Sequence, residues 1–434
     1  RKVDLPEKST LGLLIPLAEG QGTYTEDVTV SAEIEKQTET GVGSQTTIGS
    51  GGLQSLRSVA ADDPMRAVQA LPGVAAGDDF RSEFSVRGAS FRQMGIVIDG
   101  VATPMLVHTV KGRDDTGSVA MINTDILDSA TLIAGAQPQR DGQWLGGVLK
   151  FTVREGSRDR TQVRVAASDT GAAGVIEGPL GRSKRGSWMY SIRKSYADWL
   201  IRKLDATFGS TLGFYDMQTK WTWDLTSRQQ LQFLAIGGDA NYLQQNTGIA
   251  NGLHTANARS LVGSLTWRYL RPTFQASTRV SSAYSDFHNY GLLGQDQGDG
   301  HTTSLIWRTD LQWVASNALT LEAGGWRQVD HDQRILREYS AVGTSSVRLR
   351  SEDRFGGSRR LGAAWISATA RRGALALVAG GRVVGDAPSA PPLAAPWLLA
   401  EYRLGSRAKL TAGVDRKIQY PDLFQALQAP VALV

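Results

Sequence analysis

From Thr161 onward the chain alternates apolar and polar residues in segments of about ten, and this period of two constrains the fold more than anything else in it. In residues 264–269, Leu265, Trp267 and Tyr269 share one face, and Ser264, Thr266 and Arg268 share the other. Residues 303–313 set Leu305, Trp307, Leu311 and Trp313 against Arg308, Asp310 and Gln312. Residues 220–225 set Trp221, Trp223 and Leu225 against Thr222 and Asp224. Successive side chains of a strand point to opposite faces of the sheet, so each segment is a strand with one apolar and one polar face. Two architectures suit such strands: a soluble two-layer sandwich, and a closed barrel whose apolar face meets lipid. Periodicity leaves both open. No apolar run reaches the ~18 residues that a helix needs to cross a bilayer. If this chain spans a membrane it must do so as a barrel, because only helices and closed barrels satisfy their backbone groups in lipid.

The connections alternate in length. GPLGRSKRG, LTSRQ, LRP, ASNA, RRG and GSRA are short. Between them the sequence reads as longer polar links over residues 200–213, 239–257, 286–300, 330–353 and 385–396. Short turns at one end and long loops at the other is the habit of outer-membrane barrels.

Residues 53–156 differ in kind and read as a compact α+β domain. Asp62 or Asp63 is placed to cap a short helix with Pro64 in its first turn. Met65, Val68 and Leu71 then fall on one face, and Pro72-Gly73 ends the helix. Strands are expected at 83–87, 95–98, 130–134 and 148–154, with Asp99-Gly100 as a turn. Residues 1–20 read as the remnant of a preceding domain or an N-terminal extension. Residues 21–52, rich in Thr, Ser, Gly and Glu, read as a flexible leader interrupted by one extended island at 25–32.

Composition mainly excludes. The chain of 434 residues has no cysteine, so neither disulfides nor thiolate metal sites hold it together. The balance of 47 basic against 42 acidic residues gives only +5, and the basic residues are scattered along strands, unlike a nucleic-acid footprint. There is no phosphate-cradling loop, nucleophile elbow or H-E-x-x-H motif. His108, His254, His288, His301 and His331 lack metal-ligand spacing. Asp296 and Asp299 beside glycines fit a polar external loop better than a calcium loop. No enzyme, metal or cofactor is expected.

An ordered set of motifs then narrows the choice. Leu71–Val74 reads LPGV; Val86-Arg87-Gly88 follows; residues 96–100 form an apolar strand ending in D-G; residues 122–126 read INTDI; residues 135–142 read GAQPQRDG; and Gly146-Gly147-Val148 opens the next strand. This order over about a hundred residues resembles the plug domain of a TonB-dependent outer-membrane receptor. GPLGRSKRGSWMYSIRKSY is similar to the first turn and strand of that family's barrel, and DRKIQYPDLF to a mid-barrel strand end.

The resemblance implies a plug at 53–156 inside an antiparallel transmembrane β-barrel beginning at 157. The family's barrel has 22 strands, and residues 161–434 supply about 12 or 13. Thirteen strands ~4.8 Å apart and tilted ~40° enclose a ring about 26 Å across, against about 44 Å for 22. A domain of ~100 residues, roughly 33 Å across, fits only the larger ring. The chain is therefore expected to be a fragment lacking later strands. The resemblance also implies active transport of a ligand (siderophore, cofactor, glycan or similar) across the bacterial outer membrane, with the membrane's lipid outside the barrel and TonB as energy-coupling partner. Thr25, Glu26, Asp27, Val28, Thr29, Val30, Ser31 and Ala32 take the place of the TonB box, which would add a strand to TonB's sheet. Arg87 and Arg140 are expected to latch the plug to wall carboxylates. Arg92, Gln93, His108, Lys111, Arg113 and Asp114 are the ligand-contact candidates at the plug apices. Gly88, Gly100 and Gly142 are expected at positive φ. The reading from another class is a soluble or surface-exposed β-rich adhesion protein.

Overall fold

The computed structural model describes residues 45–56, 63–76, 82–111, 117–135, 138–167, 171–196, 198–199, 203, 209–245, 247–386, 391–405, 408–421 and 423. Residues 1–20, the TonB-box segment, Arg113 and Asp114 lie outside them.

The front domain forms around a small mixed sheet. Strands β1 (Gln45–Gly49), β4 (Met94–Ile98), β5 (Val101–Ala102), β8 (Leu127–Ile133) and β9 (Gly147–Val153) assemble in the order β1-β8-β9-β4-β5. Only the β4–β9 pair is parallel. Two small hairpins flank the sheet: β2 (Val74–Ala76) with β3 (Phe84–Val86), and β6 (Val107–Thr109) with β7 (Gly117–Ala120). All five residues of β4 are buried, and so are six of the seven in β9, as an apolar strand covered on both faces requires.

The expected helix is Pro64–Val68. Its N-cap is Asp63, whose Oδ1 accepts from Met65 N at 2.8 Å, and Met65 and Val68 are fully buried. Asp63 also accepts from Ala120 N at 2.8 Å and from Ser82, so the cap ties three segments together. One boundary differs from the sequence reading. Strand β1 and the helix Ser50–Leu56 begin inside the segment read as leader. Thr, Gly and Gln made that stretch look unstructured, but backbone pairing with β8 orders it whatever its side chains.

Thirteen strands follow in one antiparallel meander, each paired with its sequence neighbours. They are β10 (Gln162–Ala167), β11 (Gly171–Pro179), β12 (Gly186–Ser195), β13 (Ser210–Thr226), β14 (Gln229–Gln244), β15 (Leu253–Leu270), β16 (Phe274–Gly291), β17 (Asp296–Ser316), β18 (Leu319–Val342), β19 (Ser346–Arg372), β20 (Leu375–Asp386), β21 (Leu393–Leu404) and β22 (Ala408–Asp415). The short turns fall where the sequence put them. Three of the long polar links do not. Strands β14 to β19 run on through most of that polar sequence, and the connection between β18 and β19 shrinks to residues 343–345, with Val342 opposite Ser346. Polar residues on both faces signal a loop in a buried sheet. In a sheet that climbs into water they signal only that neither face is covered.

Polarity across this sheet is reversed. In β13, Asp216, Gln218, Lys220 and Thr222 are at most 3% exposed, whereas Met217 is 56% and Trp223 50% exposed. Strands β15 and β17 repeat the pattern, with Leu265, Trp267, Leu305, Trp307, Leu311 and Trp313 all on the open side. Trp188, Trp221, Trp223, Trp267, Tyr269 and Trp313 gather near the short turns. An apolar belt rimmed by aromatics on the outside of a polar wall is the surface that meets lipid. Among the described residues no helix is long and apolar enough to cross a membrane.

Candidate functional site

The plug core and the inner face of the wall form one buried cluster, in which Val175, Leu234, Ile236 and Val262 of the wall join the plug's Met121, Ile122 and Leu106. Around it the wall grips the plug chiefly through the plug's backbone. Asn289 donates to Lys111 O at 2.7 Å, Gln218 to Met121 O at 2.8 Å, and Arg279 to Gly100 O at 3.0 Å. Arg193 donates to Ala120 O, and Lys220 to Val153 O. Arg382, 2% exposed, donates to Gln139 O at 3.0 Å and to the Gln143 side chain at 2.9 Å, with its guanidinium 5.6 Å from the Trp326 ring. Carbonyls at turns are acceptors that any sequence provides, and a charged donor strengthens each such bond.

One of these contacts explains a glycine. Asp99 and Gly100 both hold positive φ (43° and 77°), and a Cβ on Gly100 would stand 2.2 Å from the Arg279 guanidinium. Gly142 departs from expectation: its φ is −70°, open to any residue. A Cβ there would lie 3.4 Å from Gln139 O and 3.5 Å from Arg382 Cδ, ordinary contact distances, so neither backbone nor space demands glycine.

The ion pairs that join the front of the chain to the wall fall on β11 to β13. Asp216 is fully buried, 2.6 Å from His108 Nε2 and 2.6 Å from Arg193. Lys220 lies 2.8 Å from Asp99, while Arg154 pairs with Glu177, and Arg158 with Asp224. Within the plug, Lys150 sits 2.7 Å from Asp141. Burial alone would raise the Asp141 carboxyl, but Lys150, Arg140 and Arg308 outweigh it and hold the pKa at about 2.

Between the plug apices and β16–β20 lies a cavity of about 310 Å3. The plug contributes Phe91, Arg92, Met105, Lys111 and Trp144, and the wall contributes Ser304, Trp326, Asp330, Asp332, Arg334 and Arg359. Its carboxylates are already engaged. Asp332 accepts from Thr302 at 2.6 Å and pairs with Arg334 at 3.2 Å; Asp330 accepts from Gln328 at 2.8 Å and pairs with Arg359 at 3.2 Å. A strand tilted ~40° climbs about 2.6 Å per residue, so Ser304, twelve residues above Ser316, stands roughly 30 Å beyond the short turns. The cavity therefore opens toward the long hairpins.

The sequence-derived residues divide. Arg92 and Lys111 line the cavity. His108 does not reach it: 3% exposed, it belongs to the plug–wall contact, because its ring is drawn onto Asp216. Gln93 turns back on its own backbone, its Oε1 taken by Ser90 N at 3.0 Å, and serves as a cap. Arg140 is buried between plug and wall, 3.9 Å from the adjacent Asp141 and close enough to Asp310 and Glu322 of the wall to act on them electrostatically. Arg87 is exposed at φ 50°, and among the described residues no carboxylate stands within ion-pair distance of it. The wall residues Asp216, Arg382, Trp326 and Arg359 were not singled out from sequence. Alternation marks them as inward-facing, but only the register across strands shows which of them meet the plug. Among the described residues no group of three or more His, Asp or Glu side chains is arranged to hold a metal ion.

Comparison with known proteins agrees with this geometry. Residues 42–148 match the family model of the TonB-dependent Receptor Plug Domain. Among solved structures, the siderophore receptor PirA from Acinetobacter baumannii superposes with a TM-score of 0.66 at 16% identity, covering 88% of this chain and 62% of its own. A mutant of the ferric enterobactin receptor PfeA from Pseudomonas aeruginosa gives 0.67 at 15% identity, covering 90% and 64%. The outer membrane transporter YddB from Escherichia coli gives 0.65 at 13%, covering 88% and 62%. The chain thus spans less than two thirds of the length of these structures. No curated protein matches it by sequence. Residues 42–148 are thus a TonB-dependent receptor plug domain, nested against a strand meander of inverted polarity that shares the fold of these solved structures.

Proposed function

We propose that this protein imports a ligand across the bacterial outer membrane, drawing energy from TonB through a segment at residues 25–32. The observation that carries the reading is the nesting itself: a plug held by polar side chains against the inside of a wall whose outside is apolar. A wall of that kind belongs in lipid, and a plug of that kind closes a path that something must reopen. The chain presents no nucleotide-binding motif, so the energy is assigned to a partner. A cavity on the long-hairpin side, reached by Arg92 and Lys111, is where the ligand would first be held. Siderophores are the class that the names of PirA and PfeA suggest, and the engaged carboxylates of the cavity favour a ligand without cationic groups. The adhesin reading has no comparable support, because it gives the inverted wall no purpose.

Deleting residues 25–32 from the full-length receptor tests the proposal. Uptake of a ferric siderophore that the cells bind should fall to the level of a strain lacking TonB, with surface binding unchanged. Uptake that survives the deletion intact would remove the energy-coupling assignment.

A further inference from the structure

The chain that follows β22 leaves the wall and crosses to the plug. Arg416 still continues the sheet, its N–H on Pro396 O at 3.1 Å and its guanidinium on Ala394 O at 3.2 Å. Three residues on, Gln419 gives both ends of its amide to the plug. Its Oε1 accepts from Leu145 N at 3.0 Å, and its Nε2 donates to Arg92 O at 3.0 Å. One side chain thereby bridges two plug loops as a neighbouring strand would. Tyr420 packs on the wall cluster of Trp326, Leu361 and Trp365, and the Pro421 carbonyl accepts from Arg359. Ile418, Gln419 and Tyr420 all line the cavity.

This closure is held at its ends and poorly satisfied in the middle. Tyr420 Oη, Trp326 Nε1 and Arg359 Nε are buried there without a hydrogen-bond partner. Native interiors rarely leave such groups orphaned, and three in one place mark a contact that is easily given up.

We propose that residues 416–421 are a strap across the cavity, poised to open, and that Gln419 ties its closure to the seating of the plug. This regulation rests on the import reading above. If the loop around Leu145 or the turn at Arg92 shifts, Gln419 loses both partners together and the strap is freed. If an occupant lifts the strap, the plug loses a bridge between two of its loops. The two events favour each other, as linkage requires.

These 434 residues have no cysteine, so in a background where any thiol outside them is replaced by serine, Ser304→Cys places a single thiol in the cavity beneath the strap. Its labelling rate with a small maleimide, in the full-length receptor in detergent, reads strap opening. Gln419→Ala, which removes both bonds, should speed labelling by about tenfold or more. Tyr420→Phe removes a buried unpaired hydroxyl while keeping the ring, so labelling should slow by about threefold. A merely structural contact would not respond in both directions. Equal rates in all variants, or faster labelling in Tyr420→Phe, would overturn the strap. Uptake that still depended on residues 25–32 would then leave the import reading standing.

Discussion

Asp141 shows how one carboxylate makes the plug sensitive to acid. It lies beside Lys150 in the plug and near Arg308 of the wall, and its pKa is held at about 2 against an ordinary 3.8. A depressed carboxylate contributes stability that is complete above its unfolded pKa and disappears as the pH falls through the folded one. The window here runs from about pH 4 down to about 2, and the shift corresponds to roughly 2–3 kcal/mol. Asp141→Asn should destabilise the protein by about that amount at pH 7, since Lys150 is left buried without its partner. It should also flatten the loss of stability between pH 4 and 2. Thermal unfolding across that range, wild type against variant, checks both statements. Parallel curves of unchanged slope would mean that another group carries the acid response. The sequence marked the GAQPQRDG run but assigned its charge to Arg140. That Asp141 matters as much follows from the turn at 139–141, which buries both side chains together.

At the scale of strands, height above the short turns decides what a position tolerates. Ile366 of β19 is 65% exposed and six residues from the end of its strand, inside the lipid belt. Ile335 of β18 points to the same outer side but sits sixteen residues up, opposite Arg354. Ile366→Arg should weaken folding into lipid vesicles by about 2–4 kcal/mol, and Ile335→Arg by less than about 1. Denaturant titration in vesicles separates them, and equal costs would place the belt elsewhere. This contrast explains what the sequence disclosed. Alternation located the strands because lipid on one side and polar plug contacts on the other keep the two faces different. Above the belt that difference ends. The Arg337 ion pairs with Asp296 at 2.7 Å and Glu352 at 2.8 Å belong to paired strands, yet they read in sequence as loop. The helix at Pro64–Val68 was legible because capping is local, whereas β1 was not, since its order comes entirely from β8, eighty residues away.

Over the whole molecule, the inverted wall dictates the solvent. Val163, Val165, Leu261, Leu305, Ile366 and Leu410 are among a belt of residues at least half exposed, far more contiguous apolar surface than a soluble protein carries. The full-length receptor should remain monodisperse in detergent and precipitate when it is removed; light scattering during dialysis decides. A clear, monodisperse solution without detergent would favour the adhesin reading over import. The front domain and its nesting were expected from ordered motifs, each weak alone. The bonds that seat it were hidden, because most run to backbone carbonyls and leave no trace in residue type.

The hairpin of β18 and β19 reaches farthest. Its 27-residue second strand climbs about 70 Å at the same tilt, against a hydrocarbon belt of about 25 Å. Such a mast carries its tip, residues 343–345, far above any height that lipid could cover. Anything that approaches the cavity from that side would meet the tip first.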